Sequence, residues 1–118
     1  MCRLKRCPRR TILTPAPLSA TRTYYSLSYS DPAQVAGTEA LNSAIASVTE
    51  KFGGKVADGF AAFEGPSAAF GGSPCAAGLL IKLPDGTCNI HPSPAGHLLL
   101  AKAIEDVAGA RATSVTTR

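Results

Sequence analysis

Leu41, Ala44, Ile45, Val48 and Phe52 follow one another at intervals of three, one, three and four, which gathers apolar side chains along one stripe of an α-helix. Asp31 suits the N-cap of that helix, Pro32 its first position and Gln34 the far member of a capping box. Gly53-Gly54 supplies a left-handed stop. Together they predict a helix over 32–52. A short strand follows over 55–60, with Val56 as its β-branched residue. Residues 64–90 read as loop, punctuated by Gly65-Pro66, Gly71-Gly72 and Ser73-Pro74. Within them, 79–83 can form a short strand and Pro84-Asp85-Gly86 a tight turn. A second helix opens with Ser93 as cap and Pro94 at its first position. It carries Leu98, Ala101, Ile104 and Ala108 as a stripe and ends at Gly109. The order helix, strand, long loop, helix is the closing part of an α/β pattern. The helical stripes call for a sheet to cover, and the chain offers only one or two short strands.

Composition narrows the class. The chain has 118 residues, 45% hydrophobic and 17% charged, which suits one modest domain rather than a disordered or fibrous chain. No apolar run reaches the ~20 residues that cross a bilayer as a helix. With no Trp and only 6% aromatics, the expected core is Ala, Val, Leu and Ile. The net charge of +4 is uneven: residues 1–30 hold Arg3, Lys5, Arg6, Arg9, Arg10 and Arg22 and no acid, leaving the remainder at −2. The chain therefore divides into a basic, disordered tail over 1–22, a folded part over 23–109 and a frayed end over 110–118. The segment 11–20 carries two prolines, two threonines and a serine, too polar for the apolar stretch of a secretory signal.

Chemistry concentrates in Cys88-Asn89-Ile90-His91-Pro92-Ser93-Pro94-Ala95-Gly96-His97. His91 sits in a loop just before a helix, between residues that Pro92 and Pro94 stiffen. An imidazole held this way can take a proton from a hydroxyl nucleophile. The plainer reading is a surface or capping histidine.

The run His91-Pro92-Ser93-Pro94-Ala95-Gly96-His97, with the apolar helix after it, resembles the last sequence block of the SGNH/GDSL hydrolases, a family of esterases and lipases. The long helix, the strand with Val-Ala-Asp at 56–58 and the irregular loop before the histidine follow the order of that family's C-terminal part. The resemblance spans about residues 24–108. It implies an incomplete C-terminal fragment of a flavodoxin-like α/β/α fold, with two main helices and one or two short strands. It places the catalytic general base at His91, which would activate a serine to form an acyl-enzyme that water hydrolyses. An ester would be the substrate, and His97 would play a structural part.

The sequence also departs from that family. It contains no Gly-Asp-Ser block for the nucleophile and no Gly-x-Asn-Asp block for oxyanion donors. Asn42 stands mid-helix and matches no family position, and Ser73 is a turn serine. The triad acid would stand three residues before the histidine, where this chain has Cys88. Asp85 could serve only through a folded-back turn, and some relatives orient the histidine with a backbone carbonyl. A base without nucleophile and oxyanion donors forgoes orders of magnitude in rate. The expectation is thus the C-terminal portion of an ester hydrolase, inactive alone, from a truncated or frameshifted gene or a misplaced start.

Cys75 and Cys88 enclose the loop leading to His91 and are either joined or two free thiols. Secreted members of the family often staple their loops, which would place the parent enzyme outside the cytoplasm. Two other classes use the same residues. Cys75, Cys88, His91 and His97 could hold zinc, although the prolines stiffen the bridge between the histidines and no Cys-x2-Cys knuckle exists. The basic residues 1–22 could bind nucleic acid or anionic lipid, although no binding fold surrounds them.

Overall fold

The computed structural model describes residues 20–109. They form a mixed α/β structure with three helices and four short strands in two separate two-stranded sheets. In chain order the elements are β1 (Ala20–Arg22), α1 (Pro32–Lys51), β2 (Lys55–Ala57), α2 (Gly59–Ala68), β3 (Leu80–Lys82), β4 (Cys88–Pro92) and α3 (Pro94–Ile104), continued by one π-turn, Glu105–Gly109. β1 and β2 run parallel with Ala20 opposite Lys55 and Arg22 opposite Ala57. β3 and β4 are antiparallel. Residues 20–22, which the charge pattern assigned to the tail, are paired as β1. Thr21 and its neighbours find a strand partner in β2, and Thr23 extends the pairing by donating its N–H to Ala57 at 2.9 Å. Residues 1–19 and the end over 110–118 lie outside the described residues.

The predicted long helix forms where its caps place it. Asp31 accepts a hydrogen bond from the N–H of Ala33 at 3.0 Å. At the far end Gly53 takes φ +80°, its N–H reaching the carbonyl of Glu50 and that of Gly54 reaching Thr49. These two bonds are those of a Schellman motif. Yet α1 buries no residue, and Leu41, Val48 and Phe52 stay 48%, 57% and 80% exposed. A two-stranded sheet is too narrow to cover the stripe.

α2 corrects the sequence reading, which gave a strand through residue 60 and then loop. β2 stops at Ala57, and Asp58 caps a helix by accepting from the N–H of Ala61 at 2.9 Å. Gly59, Gly65 and Pro66 look like breakers, but helix propensity is a weak prior that packing overrides. Gly59 is needed where it stands, because a Cβ there would run into the carbonyl of Thr23. Pro66 falls in the last turn of α2, where few backbone bonds are lost.

The core also departs from expectation. Phe63 is fully buried at its centre, with Leu79, Leu80 and Leu100 around it. The Tyr25 ring stacks on Phe63 with centroids 4.3 Å apart, and Tyr29 meets Phe60 edge-on at 4.9 Å. Aromatics are few, but these four converge from the 24–30 segment and α2. α3 turns a different face inward from the one its stripe suggested: Gly96 and Leu100 are buried, and Leu98 is 72% exposed. The phase is set at Gly96, where an added Cβ would strike the carbonyl of Leu79 and press on Phe63 and Pro92.

Two measurements check this packing. Gly96→Ala is expected to cost about 2–3 kcal/mol in urea unfolding, because the methyl has no room. Gly37→Ala, in the open middle of α1 with nothing within 4 Å, is expected to gain about 0.5–1 kcal/mol. The second measurement concerns Tyr29, whose hydroxyl donates to the carbonyl of Phe60 at 2.7 Å and accepts from the N–H of Ser26 at 3.2 Å. Burial holds its ionisation far above the ordinary tyrosine value of 10.0. Below that value both folded and unfolded chains keep the proton; above it the unfolded chain releases it first. Stability is therefore expected to fall as pH rises above about 10, with the phenolate absorbance of Tyr29 appearing only well above that pH.

Candidate functional site

His91 stands on β4, not in the loop the prolines suggested, but the strand is irregular where it stands. Leu80 pairs with Pro92 and Lys82 with Cys88, so two residue steps on β3 span four on β4. Asn89, Ile90 and His91 stand opposite Ile81 alone, two residues more than a regular ladder holds, and form a bulge. Bulges bend a strand and re-aim its side chains, often beside active sites. The imidazole of His91 is exposed on this one.

Four attachments hold the bulge. Cys88, at its base, is joined to Cys75 by a disulfide with Cα atoms 5.8 Å apart. Pro92, at its other end, is buried. Between them the carbonyl of Ile90 accepts a hydrogen bond from the Tyr25 hydroxyl at 2.8 Å. Beyond Pro92, the N–H of Ser93 bonds Leu79 at 2.9 Å and its hydroxyl donates to Gly78 at 2.6 Å. The same hydroxyl accepts from the N–H of Gly96 at 3.2 Å, capping α3 as the sequence predicted. Tyr25 is held in turn by its stacking on Phe63 and by the Arg22 guanidinium 5.9 Å from its ring centre. Burial raises the Tyr25 hydroxyl above its ordinary value, with Arg22 opposing, so at neutral pH it is a neutral donor to Ile90.

The ring of His91 is engaged on one side. Asn89 Oδ1 accepts the backbone N–H of His91 at 3.0 Å and lies 2.5 Å from Nδ1. The backbone N–H can pair only with the oxygen of the Asn89 amide, so the oxygen also faces the ring and Nδ1 must carry the proton. In the neutral ring Nε2 then keeps its lone pair, as a proton acceptor requires. Sequence reasoning missed Asn89. Its only trace there is an Asn two residues before His91, the spacing of an Asx-turn.

The other residues weighed from the sequence go elsewhere. Asp85 Oδ1 accepts the Thr87 hydroxyl at 2.6 Å and the Thr87 N–H at 3.0 Å. Those two bonds, the hydroxyl first, keep its carboxyl below the usual range, and it does not serve His91. Ser73 accepts from the N–H of Ala76 at 3.0 Å and closes a turn. His97 is exposed on α3. Asn42, unmatched in the sequence, ties α1 to the segment after β1. Its amide accepts from the N–H of Tyr24 at 2.7 Å and donates to the Tyr24 carbonyl at 2.8 Å. The sulfurs of Cys75 and Cys88 are bonded to each other and are not free thiolates for zinc. Among the described residues no three His, Cys, Asp or Glu side chains converge. The cations Arg3 to Arg10 lie outside the described residues. Among the described residues no helix is long and apolar enough to cross a membrane.

Comparison of the chain with protein-family models, with curated proteins and with solved structures yields no match. What the site can do is therefore read from its own atoms.

The disulfide closes a loop of separation 13 around β3 and the turn after it. Reduction, or Cys75→Ser with Cys88→Ser, is expected to lower unfolding stability by about 2–3 kcal/mol. In amide hydrogen exchange the loss of protection should centre on β3 and β4 and leave α1 unchanged.

Proposed function

We propose that this chain is the C-terminal portion of an SGNH/GDSL-type ester hydrolase, with His91 as the general base for a serine that lies outside these 118 residues. One observation carries the reading: His91 is presented, exposed, on a bulge fixed on both sides, with Asn89 Oδ1 against its Nδ1. In such a site Nε2 takes the proton of the serine hydroxyl as the hydroxyl attacks the ester carbonyl. It then returns the proton to the leaving alcohol, and water hydrolyses the acyl-enzyme by the same route.

The sequence features around His91 support the reading through what each does physically. Pro92 is buried at the foot of the bulge, Ser93 caps α3, and Gly96 lets α3 rest on the Leu79 carbonyl. The parallel β1–β2 pair, with α1 leading from one strand to the other, is the unit from which a flavodoxin-like sheet is built. Parallel sheets are ordinarily covered on both faces, and further strands and helices would also cover the α1 stripe. The disulfide suits an enzyme working in an oxidising compartment.

The test has two arms. Alone, the chain is expected to hydrolyse a short-chain p-nitrophenyl ester no faster than His91→Ala. Hydrolysis by the chain alone that His91→Ala abolishes would overturn the placing of the serine elsewhere. Co-expressed with a polypeptide bearing the Gly-Asp-Ser and Gly-x-Asn-Asp blocks, it is expected to gain hydrolysis that falls by 10²-fold or more, in order of magnitude, in His91→Ala. A complex that forms and is indifferent to His91→Ala would overturn the role of His91.

A further inference from the structure

We propose that Asn89 is the positioning residue for His91, its neutral amide oxygen orienting the imidazole as a carboxylate orients the histidine of a serine triad. The inference rests on the reading of His91 as a proton acceptor, but it concerns a residue that the resemblance does not assign.

Three observations lead to it. The position three residues before the histidine, where the resemblance expects an acid, is Cys88, and its sulfur is bonded to Cys75. The nearest carboxylate in sequence, Asp85, is spent on Thr87. Asn89 Oδ1, by contrast, lies 2.5 Å from Nδ1 and receives the His91 backbone N–H as well. Asn89 follows the disulfide directly and is half-buried, so the amide is carried on the stapled base of the bulge.

The orientation of that amide decides the chemistry. An asparagine beside an imidazole can present its NH2 group instead, and the ring then takes the tautomer with Nε2 protonated, which cannot accept from serine. Here the backbone N–H of His91 rejects that orientation, because two donors would face each other. The peptide of His91 thus selects the oxygen of Asn89, and the oxygen selects the tautomer of His91. What the amide does not supply is negative charge, so it orients the imidazole without drawing a proton onto it.

The tautomer is readable in the full chain without any hydrolysis. Long-range 1H–15N correlation spectra of the neutral ring, with His97→Gln to assign the two histidines, are expected to show His91 with Nδ1 protonated and Nε2 bare. In Asn89→Ala the preference is expected to vanish, the exposed ring moving toward the Nε2-protonated form. In Asn89→Asp the tautomer is expected to persist while the His91 pKa rises by about 1 unit or more, the effect of an adjacent opposite charge. A wild-type ring protonated on Nε2 would overturn the proposal. So would a tautomer unmoved in Asn89→Ala, or a His91 pKa unmoved in Asn89→Asp, the latter standing even if the alanine variant does not fold. The spectra decide the role of Asn89 whether or not ester hydrolysis is found in the complemented protein.

Discussion

Where α3 lies against the Leu79 carbonyl, two parts of the molecule are fixed at once. The backbone of Leu79 receives the N–H of Ser93 and is crowded by Gly96, which has no side chain to hold it off. The helix is set in angle and phase by that approach, so Leu100 turns into the core and Leu98 out of it. The hairpin is set in register by it, because Leu80, the next residue, pairs with Pro92. With one end of β4 held there and the other held by the disulfide, the surplus residues of the strand have nowhere to go but outward. The position of His91 is a consequence of two anchors placed too close together for the length of chain between them.

Much of this was legible in the sequence as punctuation. Asp31 with Pro32, Gly53-Gly54 and Ser93 with Pro94 mark helix ends that the structure places within a residue, because caps act through local backbone bonds that need no tertiary partner. The start of the short strand after the long helix and the strand near residue 80 were legible as apolar runs bounded by glycine and proline. α2 was not. Its sequence carries two glycines and a proline, and it is a helix because Phe63 has a tyrosine ring to stack on from another part of the chain. The core position of Leu100 was hidden too, since the apolar residues 98–101 suit several helix phases and only the room at Gly96 chooses among them.

For the site, the histidine was legible and its surroundings were not. The His-Pro run and the glycine after it pointed to His91 because each of those residues acts locally on the backbone and so leaves a trace in the sequence. The contact with Asn89 depends on a bulge, and a bulge arises from the pairing of two strands and the anchors at their ends. Nor could the pairing of Cys75 with Cys88 be read as settled, since the same spacing serves two thiols equally well.

Asn42 has a consequence for how the small parallel sheet meets other chains. A side-chain amide carries the same donor and acceptor as a peptide group, and this one saturates both backbone groups of Tyr24. Backbone beyond the end of an unsheltered strand is a template on which foreign strands can grow. At Tyr24 that template is already filled by a residue of α1, so any strand that lengthens the sheet beside β1 must stop short of it or dislodge the helix.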